Sequence, residues 1–211
     1  MQSNELHEAL GDIGRETDPT LKHLKLASLC SAVFAEQGIE LVVVGGSAIE
    51  FYTDGAYTSD VDLCVIRAKS PLTARLRQEI MGQLDAKGGP RSWEVSGAYV
   101  DVLGPFENLA RTSIRTLTGP YGEVRISPIE ELIVERVLVS HYPQDYPPAL
   151  DCARKLVAAA LQGEVEADWQ EVNRLAKTTA YANWRDVEDL ICEQAEALQV
   201  RNPYDSDGDP N

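Results

Sequence analysis

Two stretches of this 211-residue chain bring together residue types that handle phosphate and metal ions. Gly45, Gly46 and Ser47 follow the apolar run ELVVV (40–44), and the carboxylates Asp60 and Asp62 stand two apart in TSDVDLCVI (58–66). A glycine pair between a strand and a helix lets backbone amides approach a phosphate closely. The serine adds a hydroxyl and the helix N-terminus a partial positive charge. Two carboxylates at i and i+2 of a strand point the same way and can share an oxygen-loving divalent cation, Mg²⁺ or Mn²⁺. A third carboxylate on a neighbouring strand would complete a two-metal site and could take a proton from an attacking hydroxyl. Asp101, in AYVDVLG, fits best because its side chain falls opposite those of Val100 and Val102, with Glu94 as the competitor. Arg67 and Lys69, just past the carboxylate strand, are candidates for holding phosphates, against a plain reading as solvated loop charges.

Taken alone, the glycine turn is more simply a strand-to-helix connection, and the Asp pair a solvated strand face. Joined across twelve intervening residues, they favour a site. Other signatures are missing: the chain has no GxxxxGK[ST], GxGxxG or GxSxG pattern, and His7, His23 and His141 lack HxxxH or HExxH spacing. Cys30, Cys64, Cys152 and Cys192 form no CxxC pair and read as reduced, mostly buried thiols. Trp93, Trp169 and Trp184 read as packing residues.

The elements that must position these groups follow from hydrophobic period and punctuation. Residues 20–37 place Leu21, Leu24, Ala27, Leu29, Val33 and Phe34 near helical spacing, and Gly38 ends the helix. Residues 40–44 read as a buried strand, Ser47 as the N-cap of a short helix with Glu50 three positions on, and 58–66 as a strand with alternating faces. A helix from Pro71, a strand or bent hairpin across SWEVSGAYVDVLG and a strand at EVRIS (123–127) follow. From Pro128 every segment reads as helix: 128–140, 148–162, 167–180 and 184–198. The expected fold class is therefore α/β (α+β), a small mixed sheet with a C-terminal helical bundle. The core spans 20–127, the helical region 128–200, and 1–19 and 201–211 are expected to be flexible.

The formal net charge of −15 argues against an extended nucleic-acid surface, since phosphate contacts come from Lys and Arg. Its distribution softens that exclusion, because residues 65–163 carry twelve bases against eleven acids. The absence of a run of eighteen apolar residues, and an N-terminus without a basic start and apolar stretch, lead to the expectation of a cytoplasmic protein without membrane contact.

The GGSA turn, the T-S-D-V-D-L strand and the later S-x-x-E-x-L-I segment (Ser127 to Ile133) resemble the nucleotidyltransferase superfamily of the DNA polymerase β type. Within it, they are most similar to the bacterial branch of AbiEii-like toxins and uncharacterised single-domain relatives. The resemblance implies that Ser47 contacts a triphosphate, that Asp60 and Asp62 hold both metals, and that Asp101 is the third carboxylate. It implies transfer of a nucleoside monophosphate from an NTP to an acceptor hydroxyl on tRNA, a protein or a small molecule. By kinship it also implies a toxin-antitoxin setting with a protein partner. Two positions depart from the branch's pattern: Tyr57 stands where an arginine is common, and Arg136 where a lysine is. These departures motivate an alternative, a nucleotide- or partner-binding module of the same fold without turnover.

Overall fold

The computed structural model describes residues 3–53, 55 and 58–205. Tyr57 and the acidic tail residues Asp207 and Asp209 lie outside them. The chain divides into two compact units. One comprises the described residues up to Glu107 together with Ile114–Ser127, and the other Asn108–Ser113 with the described residues from Pro128.

The first unit is built on a seven-stranded mixed sheet. Its strands are β1 (Ile39–Val44), β2 (Asp60–Ala68), β3 (Lys87–Gly88), β4 (Ser92–Val95), β5 (Ala98–Pro105), β6 (Arg115–Gly119) and β7 (Gly122–Ile126), in the order β3-β4-β5-β2-β1-β7-β6. β2 runs antiparallel to β1 and parallel to β5, while β1 is parallel to β7. The three central strands therefore carry the apolar runs. Leu41, Val42 and Val43 of β1 are all buried, as a strand covered on both faces requires. On β2 and β5 the alternation is sharp: Val61, Leu63, Val100 and Val102 are completely buried, and Asp60, Asp62 and Asp101 between them are half-buried. Burying one such Val or Leu contributes roughly 1.5–3 kcal/mol, so a one-residue slip that exchanged the faces would cost several such terms.

Helix α2 (Pro19–Glu36) crosses β1, β2, β5 and β7 and brings Leu26, Leu29, Cys30, Val33 and Phe34 into the core. It starts at Asp18, whose carboxylate accepts from Leu21 N, with Pro19 pre-set for the first turn. Helix α3 (Gly45–Thr53) packs on β1 and β2, and α4 (Ala74–Gln83) starts at Thr73, whose hydroxyl accepts from Leu76 N. The SWEVSGAYVDVLG segment is a hairpin whose turn residues Ser96 and Gly97 both have positive φ (50° and 75°), the geometry that matches strand twist.

The second unit contains α5 (Ile129–His141), α6 (Pro147–Leu161), α7 (Trp169–Ala176) and α8 (Trp184–Leu198). Three acidic side chains tie Asn108–Ser113 into it: Glu131 accepts from Leu109 N and Ala110 N, Glu130 from the Thr112 hydroxyl, and Glu171 from Arg111 N. Residues past α8 also pack, for Tyr204 meets Trp184 edge-to-face and donates to the Trp169 carbonyl.

The mixed α/β architecture with a helical C-terminal part is the expected one, with local differences. Residues 3–15, expected to fray, form α1 (Ser3–Arg15), because Ala9, Leu10 and Ile13 share one apolar face and are buried. Strand β6 was not anticipated: RTLTG is a polar edge with little apolar alternation. Ser47 is not an N-cap, since α3 begins two residues earlier at the positive-φ Gly45, and Glu50 does not close a capping box. Cys30 is buried, but Cys192 is exposed and Cys64 and Cys152 are half-buried, so the thiols are less uniformly interior than expected. No helix among the described residues is long and apolar enough to cross a membrane.

Candidate active site

The parallel pairing of β2 with β5 places Asp62 directly opposite Asp101 and Asp60 opposite Tyr99. Side chains in register share a face, so all three carboxylates emerge on the same side of the sheet. A carboxylate oxygen from each of Asp60, Asp62 and Asp101 lies within 4.8 Å of the others. Glu94 is on the same face but one strand further out, opposite Tyr99 on β4. That puts it roughly 10 Å from Asp60 across two strand spacings. Asp101, not Glu94, is therefore the carboxylate that joins Asp60 and Asp62 in one cluster.

An all-oxygen, all-anionic set of this spacing suits a hard divalent cation. The turn is shaped around it: Gly45 has φ +63°, and a methyl at that position would sit 2.6 Å from Asp62 Oδ2. Gly46 is constrained in the same way, since a methyl there would lie 2.9 Å from Thr58 Cβ. The glycine pair is thus what lets α3 start against the carboxylate strand, and the residues present fit Mg²⁺ or Mn²⁺.

Ser47 is completely buried, and its hydroxyl is committed locally. It donates to the Val44 carbonyl at 3.2 Å and accepts from Asp62 N at 3.3 Å, cross-linking the start of α3 to β2. Asp60 receives a short hydrogen bond from the Thr58 hydroxyl.

Arg67 and Lys69 are not brought to the carboxylates. β2 continues as an extended strand through Ala68, so Arg67 is five residues beyond Asp62 and roughly 16 Å away, and Lys69 further still. Both line a separate cavity of about 690 Å³ with Glu40, Glu123 and Arg125. There Glu40 lies 3.8 Å from both Arg67 and Arg125. The proximity in sequence misled because a strand spends its length in one direction.

Two contributors escaped the sequence. Tyr99 is 55% exposed although aromatic, and lies between Asp60 and Glu94 on the site face. Its place in an alternating strand beside Asp101 was a usable signal. Thr58 stands first in the T-S-D-V-D-L stretch, but nothing local marked its hydroxyl as a partner of Asp60.

No family model and no curated protein matches this sequence. Among solved structures, the chain is similar to an antigenic nucleotidyltransferase-like protein from Paracoccidioides brasiliensis, with a TM-score of 0.56 at 15% identity, covering 83% of this chain and 93% of that one. The two share a fold. The antibiotic-resistance factor ANT(2'')-Ia also matches, with a TM-score of 0.47 at 16% identity and the same coverage of 83% and 93%. The likeness to the Paracoccidioides protein is one of fold at 15% identity, and the chemistry rests on this chain's own residues.

Proposed function

We propose that this protein is a metal-dependent nucleotidyltransferase, a reading carried by the convergence of Asp60, Asp62 and Asp101 beside the glycine turn. The acceptor hydroxyl loses its proton to Asp101 as its oxygen bonds the α-phosphorus of an NTP. The bond from that phosphorus to the bridging oxygen breaks, and pyrophosphate leaves. Asp60, Asp62 and Asp101 would hold Mg²⁺ or Mn²⁺, which when bound would supply charge neutralisation for the transferring phosphoryl group. Asp60 and Asp62 orient from one strand and Asp101 from the next, so a single parallel register sets the geometry. The amides at the start of α3, opened by Gly45 and Gly46, receive the triphosphate. Ser47 supports this turn from inside, its hydroxyl being bonded to Val44 and Asp62.

Tyr99 offers an exposed aromatic face beside Asp60 on which an acceptor can stack. Of the acceptors tRNA, protein and small molecule, the acidic chain favours the latter two. Kinship to the AbiEii-like branch, and with it a toxin-antitoxin role alongside a protein partner in the cytoplasm, rests on the GGSA and T-S-D-V-D-L resemblance.

The test is incubation with each labelled NTP, Mg²⁺ or Mn²⁺, and total tRNA or cell lysate. Metal-dependent label that vanishes in the Asp60→Ala, Asp62→Ala double variant supports the reading; label equal in both sinks it. A second reading, a nucleotide-binding module without turnover, draws on the far placement of Arg67 and Lys69 and the inward commitment of Ser47. Calorimetric NTP binding with no product would favour it.

A further inference from the structure

A second buried polar cluster leads into the site from behind. His23 on α2 and Glu50 on α3 are 5% and 0% exposed, and His23 Nδ1 lies 2.7 Å from Glu50 Oε2. The other carboxylate oxygen, Oε1, accepts from the backbone N–H of Thr58 at 3.0 Å. Thr58 in turn donates its hydroxyl to Asp60 Oδ1, and its Cβ is lodged against Gly46. An unbroken chain of contacts therefore runs from the core helix α2 through α3 to a carboxylate of the acidic triad.

We propose that the His23–Glu50 pair is a positioning element for Asp60, acting through Thr58, and that it sets the cation affinity of the triad. This rests on the reading of Asp60, Asp62 and Asp101 as a metal site. A buried histidine–carboxylate hydrogen bond is a costly way to fill a core, because both groups give up solvation that similar-sized apolar residues never had. What the pair does that apolar residues cannot is hold the Thr58 amide. With that amide fixed and Gly46 closing the other side, the Thr58 hydroxyl is directed at one oxygen of Asp60 and fixes its rotamer. Outer partners of this sort orient ligating carboxylates, and their loss typically lowers metal affinity by about 10–100-fold.

The decisive measurement is Mn²⁺ affinity, by calorimetry or by the electron paramagnetic resonance signal of free Mn²⁺, on full-length protein with a melting curve for each variant. Thr58→Val keeps the shape and removes the hydroxyl, and its Mn²⁺ dissociation constant should rise at least about 10-fold, whereas Thr58→Ser should stay near the wild-type value. The His23→Leu, Glu50→Met double variant should melt at or above the wild-type temperature yet bind Mn²⁺ more weakly, by about the Thr58→Val factor. A purely structural pair predicts the reverse, a lower melting temperature with unchanged affinity. Wild-type binding that Thr58→Val leaves intact overturns the positioning role alone. Failure of the wild type to bind Mn²⁺ at all overturns the metal-site reading and the positioning role together. Should the double variant not fold, the contrast between Thr58→Val and Thr58→Ser still decides.

Discussion

The Asp62 carboxylate occupies the space that a side chain on residue 45 would need: a methyl there would come within 2.6 Å of Asp62 Oδ2. Gly45 also sits at φ +63°, a backbone region disfavoured for residues with a Cβ. Gly45→Ala should therefore destabilise the protein by about 1–2 kcal/mol and, separately, displace Asp62. The separation is measurable, because the loss of Mn²⁺ affinity should persist at temperatures where circular dichroism shows the variant fully folded.

Asp101 and Asp62 differ in the role assigned to them, although they stand opposite each other in register. Asp62→Asn should weaken cation binding by more than the roughly 10–100-fold that outer partners command. Asp101→Asn, which also removes one cation ligand, should lower kcat at saturating Mn²⁺ and NTP by about 10²–10⁴, the usual contribution of a general base. Steady-state kinetics alongside NTP titration checks both. An Asp101→Asn enzyme with wild-type kcat would return Glu94 to consideration.

Arg67 and Lys69 lie at the far end of β2 from the acidic triad. At that separation, exposed charges are largely screened at physiological salt, so Arg67→Ala and Lys69→Ala should each change the KM for NTP by less than about twofold. A much larger rise in either variant would mean that the triphosphate extends along the strand, contrary to the strand geometry.

In the helical unit, burial raises the Glu131 carboxyl above its ordinary value, outweighing hydrogen bonds from Tyr181, Ala110 and Leu109. The folded state thus binds its proton more tightly than the unfolded chain. The stability Glu131 contributes is present below the unfolded value of 4.5 and declines as pH rises through the folded value. Glu171 behaves oppositely: hydrogen bonds from Arg174 hold its carboxyl low, so its contribution is lost on acidification. Glu131→Gln mimics the protonated acid and retains an oxygen for the two amides. Urea unfolding from pH 4.5 upward should show a flatter stability profile for this variant than for the wild type, and a parallel profile would refute the assignment.

Much of this architecture was legible before folding because it depends on local period. The ELVVV run, the i, i+2 alternation through Asp60 and Asp62, and the four C-terminal helices each follow from apolar spacing that only one type of element satisfies. Where the pattern was weak, the reading fell short: β6 is a polar edge strand, and α1 carries only a thin apolar stripe.

The candidate site divides along the same line. Residue types and spacing alone set the glycine turn and the shared strand face of Asp60 and Asp62, since each is a property of a few consecutive residues, while the antiparallel pairing of Val44 with Asp62 brings the two together. The choice of Asp101 over Glu94 was made by the parallel register of β2 and β5. The removal of Arg67 and Lys69 came from the length of β2, and the turning inward of Ser47 from an α3 that starts earlier than its capping signal implied. The link from His23 through Glu50 and Thr58 to Asp60 joins residues 27 positions apart, then 8, then 2. No local pattern encodes such a path, because it exists only once α2 and α3 have packed on the sheet and excluded the water that would otherwise satisfy each group separately.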